Sequence, residues 1–81
     1  MTINVLLFAA ARDLAGKSQV MVELPVGSTV ADLRCQLVEV SPKLKSLADI
    51  LYVAVNNQYA ADSQPLTETD TVACFPPVSG G

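Results

Sequence analysis

The stretch TVADLRCQLVEV, residues 29–40, decides the fold, because it carries the clearest helical pattern in the chain. Its apolar residues recur at i, i+3, i+7 and i+10 and form a single stripe: Val30, Leu33, Leu37 and Val40. Thr29 is a typical N-cap, and Asp32 three positions later completes a capping box. Pro42 disfavours helical geometry at the residue before it, so the helix is predicted to end near residue 40.

Short apolar segments on either side of this helix are predicted to be strands. They are residues 3–8 and 19–24 before the helix, and residues 51–55, 58–61 and 71–75 after it. Residues 9–16 are predicted to form a short turn or a single helical turn ending at Gly16, and residues 43–49 a further helical turn. Asn56 and Asn57 indicate a tight turn, because asparagine tolerates positive φ. Residues 62–70 are polar and are predicted to be a loop.

The order of these elements, β-β-α-β-(β)-β, predicts an α+β fold. A single amphipathic helix can cover one face of one sheet, and the solution this favours is a β-grasp, ubiquitin-like roll, in which a mixed sheet wraps across the helix. By analogy with that fold, the first and last strands are expected to be central, parallel neighbours. The chain of 81 residues has room for one domain, predicted as residues 1–75, followed by an extended tail, residues 76–81.

The composition excludes most side-chain catalysis. The chain contains no histidine, so neither a Ser-His-Asp nor a Cys-His arrangement can be built within it. Asp62, Glu68 and Asp70 are close in sequence, but a solvated acidic loop explains them better than a metal site, and no metal is expected. Cys35 lies opposite the apolar stripe of the helix and Cys74 alternates into the core, so both are predicted to be free thiols.

Charge and hydropathy also exclude several partners. The net charge is −3 and the five basic residues are scattered, so no basic stripe is available for nucleic acid. The longest apolar run, residues 5–11, is too short to span a bilayer. No basic residue precedes this run, which favours a strand over a signal peptide. Together with the free thiols, these features predict a cytoplasmic protein that binds neither nucleic acid nor membrane.

The C-terminal tail has a composition suited to chemistry. Pro76 and Pro77 are stiff and project the chain away from the sheet, whereas Ser79, Gly80 and Gly81 narrow to nearly bare backbone. Such a tail can enter a tunnel too tight for side chains and present a carboxylate to the nucleotide of another enzyme. An ordinary frayed terminus is the alternative interpretation. The rigid diproline in front of the glycines favours the functional one.

Aromatic residues indicate a second functional feature on the sheet. Alternation along the first and last predicted strands places Phe8 and Phe75, the only two phenylalanines, on the face opposite the helix. Tyr59, on the short fourth strand, can join them. An exposed apolar patch usually marks a partner surface. Packing of one or both phenylalanines under the loops is the alternative, and the pattern favours a partner interface.

Four segments of the chain carry a resemblance to a known family: VLLFAAARDLAG (residues 5–16), PVGSTVADL (25–33), AVNNQ (54–58) and PLTETDTVACFPPVSGG (65–81). The sequence resembles the small sulfur-carrier subunits of molybdopterin synthase, the MoaD/ThiS-like family, over essentially its whole length. Asp13 stands where that family has Glu, AVNNQ has one extra Asn, and Thr69 replaces the usual Gly, which questions the turn geometry there.

The resemblance implies a carrier that is not an enzyme on its own and binds no permanent cofactor. A separate adenylating, E1-like enzyme would use ATP to convert the Gly81 carboxylate to an acyl-adenylate, and a sulfur donor would convert this to a thiocarboxylate. The tail, with Gly80, would then enter the active site of the large synthase subunit and donate sulfur to cyclic pyranopterin monophosphate.

The resemblance also assigns partner-binding residues. These would be Phe8, Arg12, Tyr59, Phe75, Pro76, Pro77, Val78 and Ser79. The large subunit and the activating enzyme would use the same surface in turn. Three alternatives share parts of this pattern: a sulfur carrier for thiamine or another pathway, a ubiquitin-like modifier of target lysines, and a scaffolding β-grasp domain. The last leaves the Gly-Gly ending unexplained.

Overall fold

A computed structural model describes residues 1–77 of the chain, and the predicted tail residues Val78, Ser79, Gly80 and Gly81 lie outside them. The elements follow the predicted order, with α1 between the first two strands and a short 3-10 helix, Pro42–Ser46, after α2. They are β1 (Thr2–Leu7), α1 (Ala9–Ala15), β2 (Gln19–Glu23), α2 (Val30–Val40), β3 (Tyr52–Val55), β4 (Gln58–Tyr59) and β5 (Val72–Phe75).

Helix α2 confirms the capping box and most of the apolar stripe. The Thr29 side chain accepts a hydrogen bond from the Asp32 backbone N–H, and the Asp32 carboxylate accepts one from the Thr29 N–H at 2.9 Å. Val30, Leu33 and Leu37 are fully buried. The prediction was wrong for Val40, which is 41% exposed. Ten residues at 3.6 per turn place it about 80° around the helix from Val30, at the edge of the buried stripe.

The five strands form one mixed sheet in the order β2-β1-β5-β3-β4. β1 and β5 are parallel neighbours at the centre, with Val5 opposite Val72 and Leu7 opposite Cys74. The other three pairs, β1 with β2, β3 with β5 and β3 with β4, are antiparallel. This topology confirms the expected central pairing of the first and last strands and the α+β roll.

The core lies between α2 and the inner face of the sheet. Alternate residues of β1 point inward, and Ile3, Val5 and Leu7 are at most 1% exposed. Val72 and Cys74 of β5 are fully buried in the same core cluster. Because each central strand buries every second side chain in this way, the intervening side chains must point to the opposite face.

The link between β1 and β2 differs from the predicted single turn. β1 ends at Leu7, so Phe8 is not a strand residue; it is the N-cap of α1, with φ −128° and ψ 155°. Ala9 follows with φ 53°, in the left-handed region, so the backbone changes direction between Phe8 and the helix. α1 has seven residues and is capped by Gly16, whose φ of 76° gives the left-handed conformation that glycine favours.

Two turns contain positions at which the sequence departs from the family pattern: the turn at Asn56 and Asn57, and the turn at Thr69. Asn56 and Asn57 have φ of 53° and 69°, which confirms the predicted turn. Within residues 1–77, the only other non-glycine residue with positive φ is Ala9, so Thr69 lies outside the left-handed region. A threonine in the place of the usual glycine is therefore compatible with this turn without backbone strain.

Neither α-helix in residues 1–77 combines the length and the hydropathy that a membrane span would need.

Candidate functional site

The outer face of the sheet is built from cross-strand neighbours in register. Leu6 lies opposite Ala73, Ala73 opposite Ala54, and Ala54 opposite Tyr59, so these four side chains form one row across β1, β5, β3 and β4. In the next row, Phe75 lies opposite Tyr52. Large side chains therefore surround a pair of alanines at the centre of the face.

Three aromatic rings pack together on this face. The ring centroid of Tyr52 is 5.6 Å from that of Tyr59 and 6.1 Å from that of Phe75, and the Tyr59 and Phe75 centroids are 5.7 Å apart. These distances lie in the range of favourable aromatic pairs. Tyr59 is 74% exposed, whereas Phe75 is half-buried.

Tyr52 is a member of this cluster that was not predicted from the sequence. Val53 and Val55 of the same strand are buried, so alternation places Tyr52 and Ala54 on the outer face. The signal was present in the sequence, because the predicted strand, residues 51–55, already included Tyr52 and its alternation with the two valines indicates the outer face.

A groove with a volume of about 360 Å³ runs over the alanine pair. Its lining consists of Leu6, Phe8, Ala54, Asn57, Tyr59, Thr71, Ala73 and Phe75. Phe8 is 47% exposed and reaches this groove from the N-terminus of α1. The structure thus brings together the three predicted aromatic residues, Phe8, Tyr59 and Phe75, on one face.

Hydrogen bonds fix the polar rim of the groove. The Asn56 side-chain amide donates to the Asp70 carboxylate at 3.0 Å, and the Thr67 backbone N–H donates to the same carboxylate at 2.8 Å. The Thr71 N–H donates to the Asn56 side-chain oxygen at 2.9 Å. Asp70 therefore joins the β3–β4 turn to the loop before β5. These bonds, with that from the Thr67 backbone the largest cause, lower the pKa of Asp70 below 3.8.

Replacing Asp70 with Ala is expected to lower the free energy of unfolding by about 1 kcal/mol near neutral pH, because these partly exposed hydrogen bonds are lost. Because the pKa of Asp70 is lower in the folded state, its ionised carboxylate stabilises the fold at pH values above 3.8, the pKa of an unperturbed Asp. This stabilisation is lost as the pH falls through the lower, folded-state pKa. The difference between wild type and Asp70→Ala should therefore shrink in acid. Urea unfolding near neutral pH and again in acid measures this difference in the free energy of unfolding. Asp49→Ala, at an exposed residue, is the control. Equal differences at both pH values would contradict the assignment.

The other predicted partner-binding residues lie outside this groove or beyond the described residues. Arg12 is exposed on α1, with its Nε 3.9 Å from a carboxylate oxygen of Asp13. Pro76 is half-buried and Pro77 is exposed directly after β5. Val78, Ser79, Gly80 and Gly81 lie outside the part of the chain that the structure describes.

The cysteines occupy the predicted environments. Cys35 is exposed on α2 and Cys74 is buried, and both are free. Burial raises the pKa of the Cys74 thiol to about 12, opposed in part by the positive charge of Arg34. Cys74 is therefore a protonated core residue at neutral pH.

The three carboxylates of the acidic loop have separate partners. Asp62 forms an ion pair with Arg34 at 2.8 Å, Glu68 accepts a hydrogen bond from the Thr2 N–H, and Asp70 holds the rim. Among residues 1–77, no group of three or more Cys, Asp or Glu side chains could hold a metal ion.

A five-stranded mixed sheet around one main helix, with parallel central strands, makes this a ubiquitin-like β-grasp protein. The model of the ThiS family matches residues 5–81, and the chain belongs to that family. The matched range includes Gly80 and Gly81.

Two relatives that share one printed name, and one solved structure, are similar to this chain over nearly its whole length. The "Molybdopterin synthase sulfur carrier subunit" of Escherichia coli is 40% identical over 83 residues, covering 98% of this chain and 99% of that protein. The protein of the same name from Arabidopsis thaliana is 38% identical, covering 98% of this chain and 82% of that protein. The crystal structure of SAMP1 from Haloferax volcanii superimposes with a TM-score of 0.88 at 31% identity, covering all of both chains.

Proposed function

We propose that this protein is the sulfur carrier of molybdopterin synthesis and that the Gly81 carboxylate carries the sulfur. The observation that supports this most directly is the uncharged aromatic groove beside the end of β5, where the chain leaves the sheet through Pro76 and Pro77 toward the Gly-Gly ending. The names of the E. coli and Arabidopsis relatives support the same function.

The proposed chemistry takes place at the carboxylate. A separate adenylating enzyme joins the Gly81 carboxylate to the AMP portion of ATP and releases pyrophosphate. Sulfur that a donor delivers at the sulfide level then displaces AMP, which leaves a thiocarboxylate. In the large synthase subunit, this sulfur attacks a carbon of cyclic pyranopterin monophosphate and displaces the oxygen substituent of that carbon. Water then cleaves the bond between the Gly81 carbonyl carbon and the sulfur, which restores the carboxylate and leaves the sulfur on the pterin. Two such transfers supply the two sulfurs of the dithiolene.

The carrier's own contribution is recognition and delivery. Gly80 and Gly81 lack side chains, so the reacting carbonyl can pass through a narrow channel. Phe8, Tyr59 and Phe75 are proposed to face the large subunit and the adenylating enzyme in turn. Val78 and Ser79, within the tail, are proposed to contact the same two partners. Arg12 is proposed to contact the same partners from the side of α1, where it is exposed.

The remaining proposals concern what the carrier holds and where it works. ATP is proposed to bind to the adenylating enzyme, and no cofactor to remain on the carrier. A cytoplasmic location is proposed, supported by two free cysteines, one of which is exposed.

Intact mass spectrometry of the carrier tests this function. After co-expression with the adenylating enzyme and a sulfur donor, the C-terminal peptide should gain the mass difference between sulfur and oxygen. The isolated product, mixed with the large subunit and cyclic pyranopterin monophosphate, should then lose this mass as molybdopterin forms. An unmodified C-terminus after co-expression would contradict the proposal.

A protein modifier is the second candidate function. It is favoured by the similarity to SAMP1 of Haloferax volcanii and to a second solved structure, named "small archaeal modifier protein 1" of the same organism. It shares the activation chemistry but ends in an amide bond to a lysine of a target. A thiamine carrier would form the same thiocarboxylate. Conjugates in denaturing gels would identify a modifier, and sulfur transfer without molybdopterin formation would identify the thiamine carrier or another pathway.

A further inference from the structure

Two alanines form the floor of the aromatic groove. Ala73 of β5 and Ala54 of β3 are direct cross-strand partners, and both are half-buried. Leu6 and Tyr59 continue the same row on either side. Two methyl groups between two large side chains leave a depression in an otherwise bulky face, and the groove of about 360 Å³ lies over them.

The lining of the groove determines which chemical group can occupy it. Its polar members, Asn57, Thr71 and the Tyr59 hydroxyl, are uncharged, and the remaining lining residues are apolar. A phosphorylated or otherwise anionic small molecule would need a cation or several convergent donors, which this lining does not provide. An apolar side chain of a protein partner fits the lining, because burying it leaves no charge unpaired.

The start of the tail indicates which protein supplies this side chain. Residues 78–81 follow Pro77, and four extended residues reach about 14 Å at most. A protein that receives the Gly81 carboxylate must therefore approach within that distance of Pro77. Phe75, two residues before Pro77, is part of the groove lining. While it holds the tail, the receiving protein is therefore close to the Phe75 end of the groove.

We propose that the Ala54–Ala73 pair is a hole that accepts one large apolar side chain of the protein receiving the tail. This inference rests on the proposed function, because the large synthase subunit is taken as the receiving protein. The hole is distinct from the aromatic cluster: the rings provide contact area, whereas the alanines provide space.

Filling the hole tests the proposal. Ala73→Leu should raise the Kd for the large subunit of the same organism about tenfold or more, measured by isothermal titration calorimetry, because the partner's side chain loses its space. Strand positions favour larger residues, so the fold should persist, as circular dichroism and Tm would show. Asn4→Phe adds the same three side-chain heavy atoms as Ala73→Leu to the same sheet face outside the groove lining, and it should change Kd less than about twofold.

A second filling variant protects the test against misfolding. Ala54→Leu occupies the same hole from β3 and should weaken binding to a similar extent. Unchanged affinity of either variant, with an intact fold, would overturn the role of the hole while leaving the sulfur-carrier function in place. Failure of the wild-type protein to bind the large subunit would instead overturn the proposed function together with this inference.

Discussion

Deleting Gly81 is expected to reduce sulfur transfer at least a thousandfold while leaving the fold and the groove intact. The shortened chain still ends in a glycine carboxylate, but this group lies about 3.5 Å short of its original position. A misplacement of about 1 Å can already cost a hundredfold in rate, because the reacting atoms no longer meet at bonding distance. The measurement is the rate of molybdopterin formation with purified large subunit and an excess of adenylating enzyme.

Appending one further glycine after Gly81 is the matched control for this deletion. It preserves a C-terminal carboxylate and the Gly-Gly sequence but displaces the reacting group by a similar distance in the opposite direction. Both variants should keep the wild-type Tm and bind the large subunit through the aromatic groove. Wild-type transfer rates from the shortened chain would show that the Gly81 carboxylate is not the site of sulfur attachment.

The elements that the sequence predicted well are those in which a local pattern and burial agree. The stripe of Val30, Leu33 and Leu37 identified α2 because a helix buries one face at a fixed period, and Thr29 marked its start. The alternation of Ile3, Val5 and Leu7 likewise identified the inner face of β1. These signals depend on residues that are close together along the chain, so the sequence alone is sufficient to recognise them.

The features that the sequence did not predict depend on register between strands or on local backbone geometry. The alanine pair becomes a hole only because Ala54 of β3 lies opposite Ala73 of β5, and no local pattern specifies this register. Phe8 was expected in a strand, but positive φ at Ala9 ends the extended segment and places Phe8 at the N-terminus of α1. Its exposure on the outer side was nevertheless predicted correctly, because the residue before the turn still follows the alternation of β1.

The aromatic cluster was predicted in part for a related reason. Phe75 and Tyr59 were recognised as outward residues, whereas Tyr52 was not assigned to the cluster, although the alternation of β3 places it on the same face. Tyr52 lies opposite Phe75 in the β3–β5 ladder, and its centroid is within 6.1 Å of both neighbouring rings. The consequence is that Phe75 is held in place by two tyrosines, which reduces the side-chain entropy it would lose on binding.

Phe75→Ala is expected to weaken association with the large subunit by about 2 kcal/mol, which corresponds to roughly a thirtyfold increase in Kd. Phe75 is the half-buried ring of the cluster and lies two residues before Pro77, so a docked partner would cover it completely. Its removal also frees Tyr52 and Tyr59 from their shared neighbour. The loss should appear mainly as faster dissociation in surface plasmon resonance, since charge steering of the encounter is unchanged.

Met21→Ala is the matched control, because Met21 is 59% exposed on β2 and lies outside the groove lining. Scattered surface side chains of this kind contribute little to binding, so its Kd should stay within about twofold of wild type. The decisive comparison is between the Kd for the large subunit and the rate of sulfur transfer. At saturating large subunit, Phe75→Ala should recover most of its sulfur-transfer rate, because the groove provides affinity and the tail provides the reacting group. A rate that stays low at saturation would show that Phe75 positions the tail, and an unchanged Kd would show that the aromatic cluster does not form the interface.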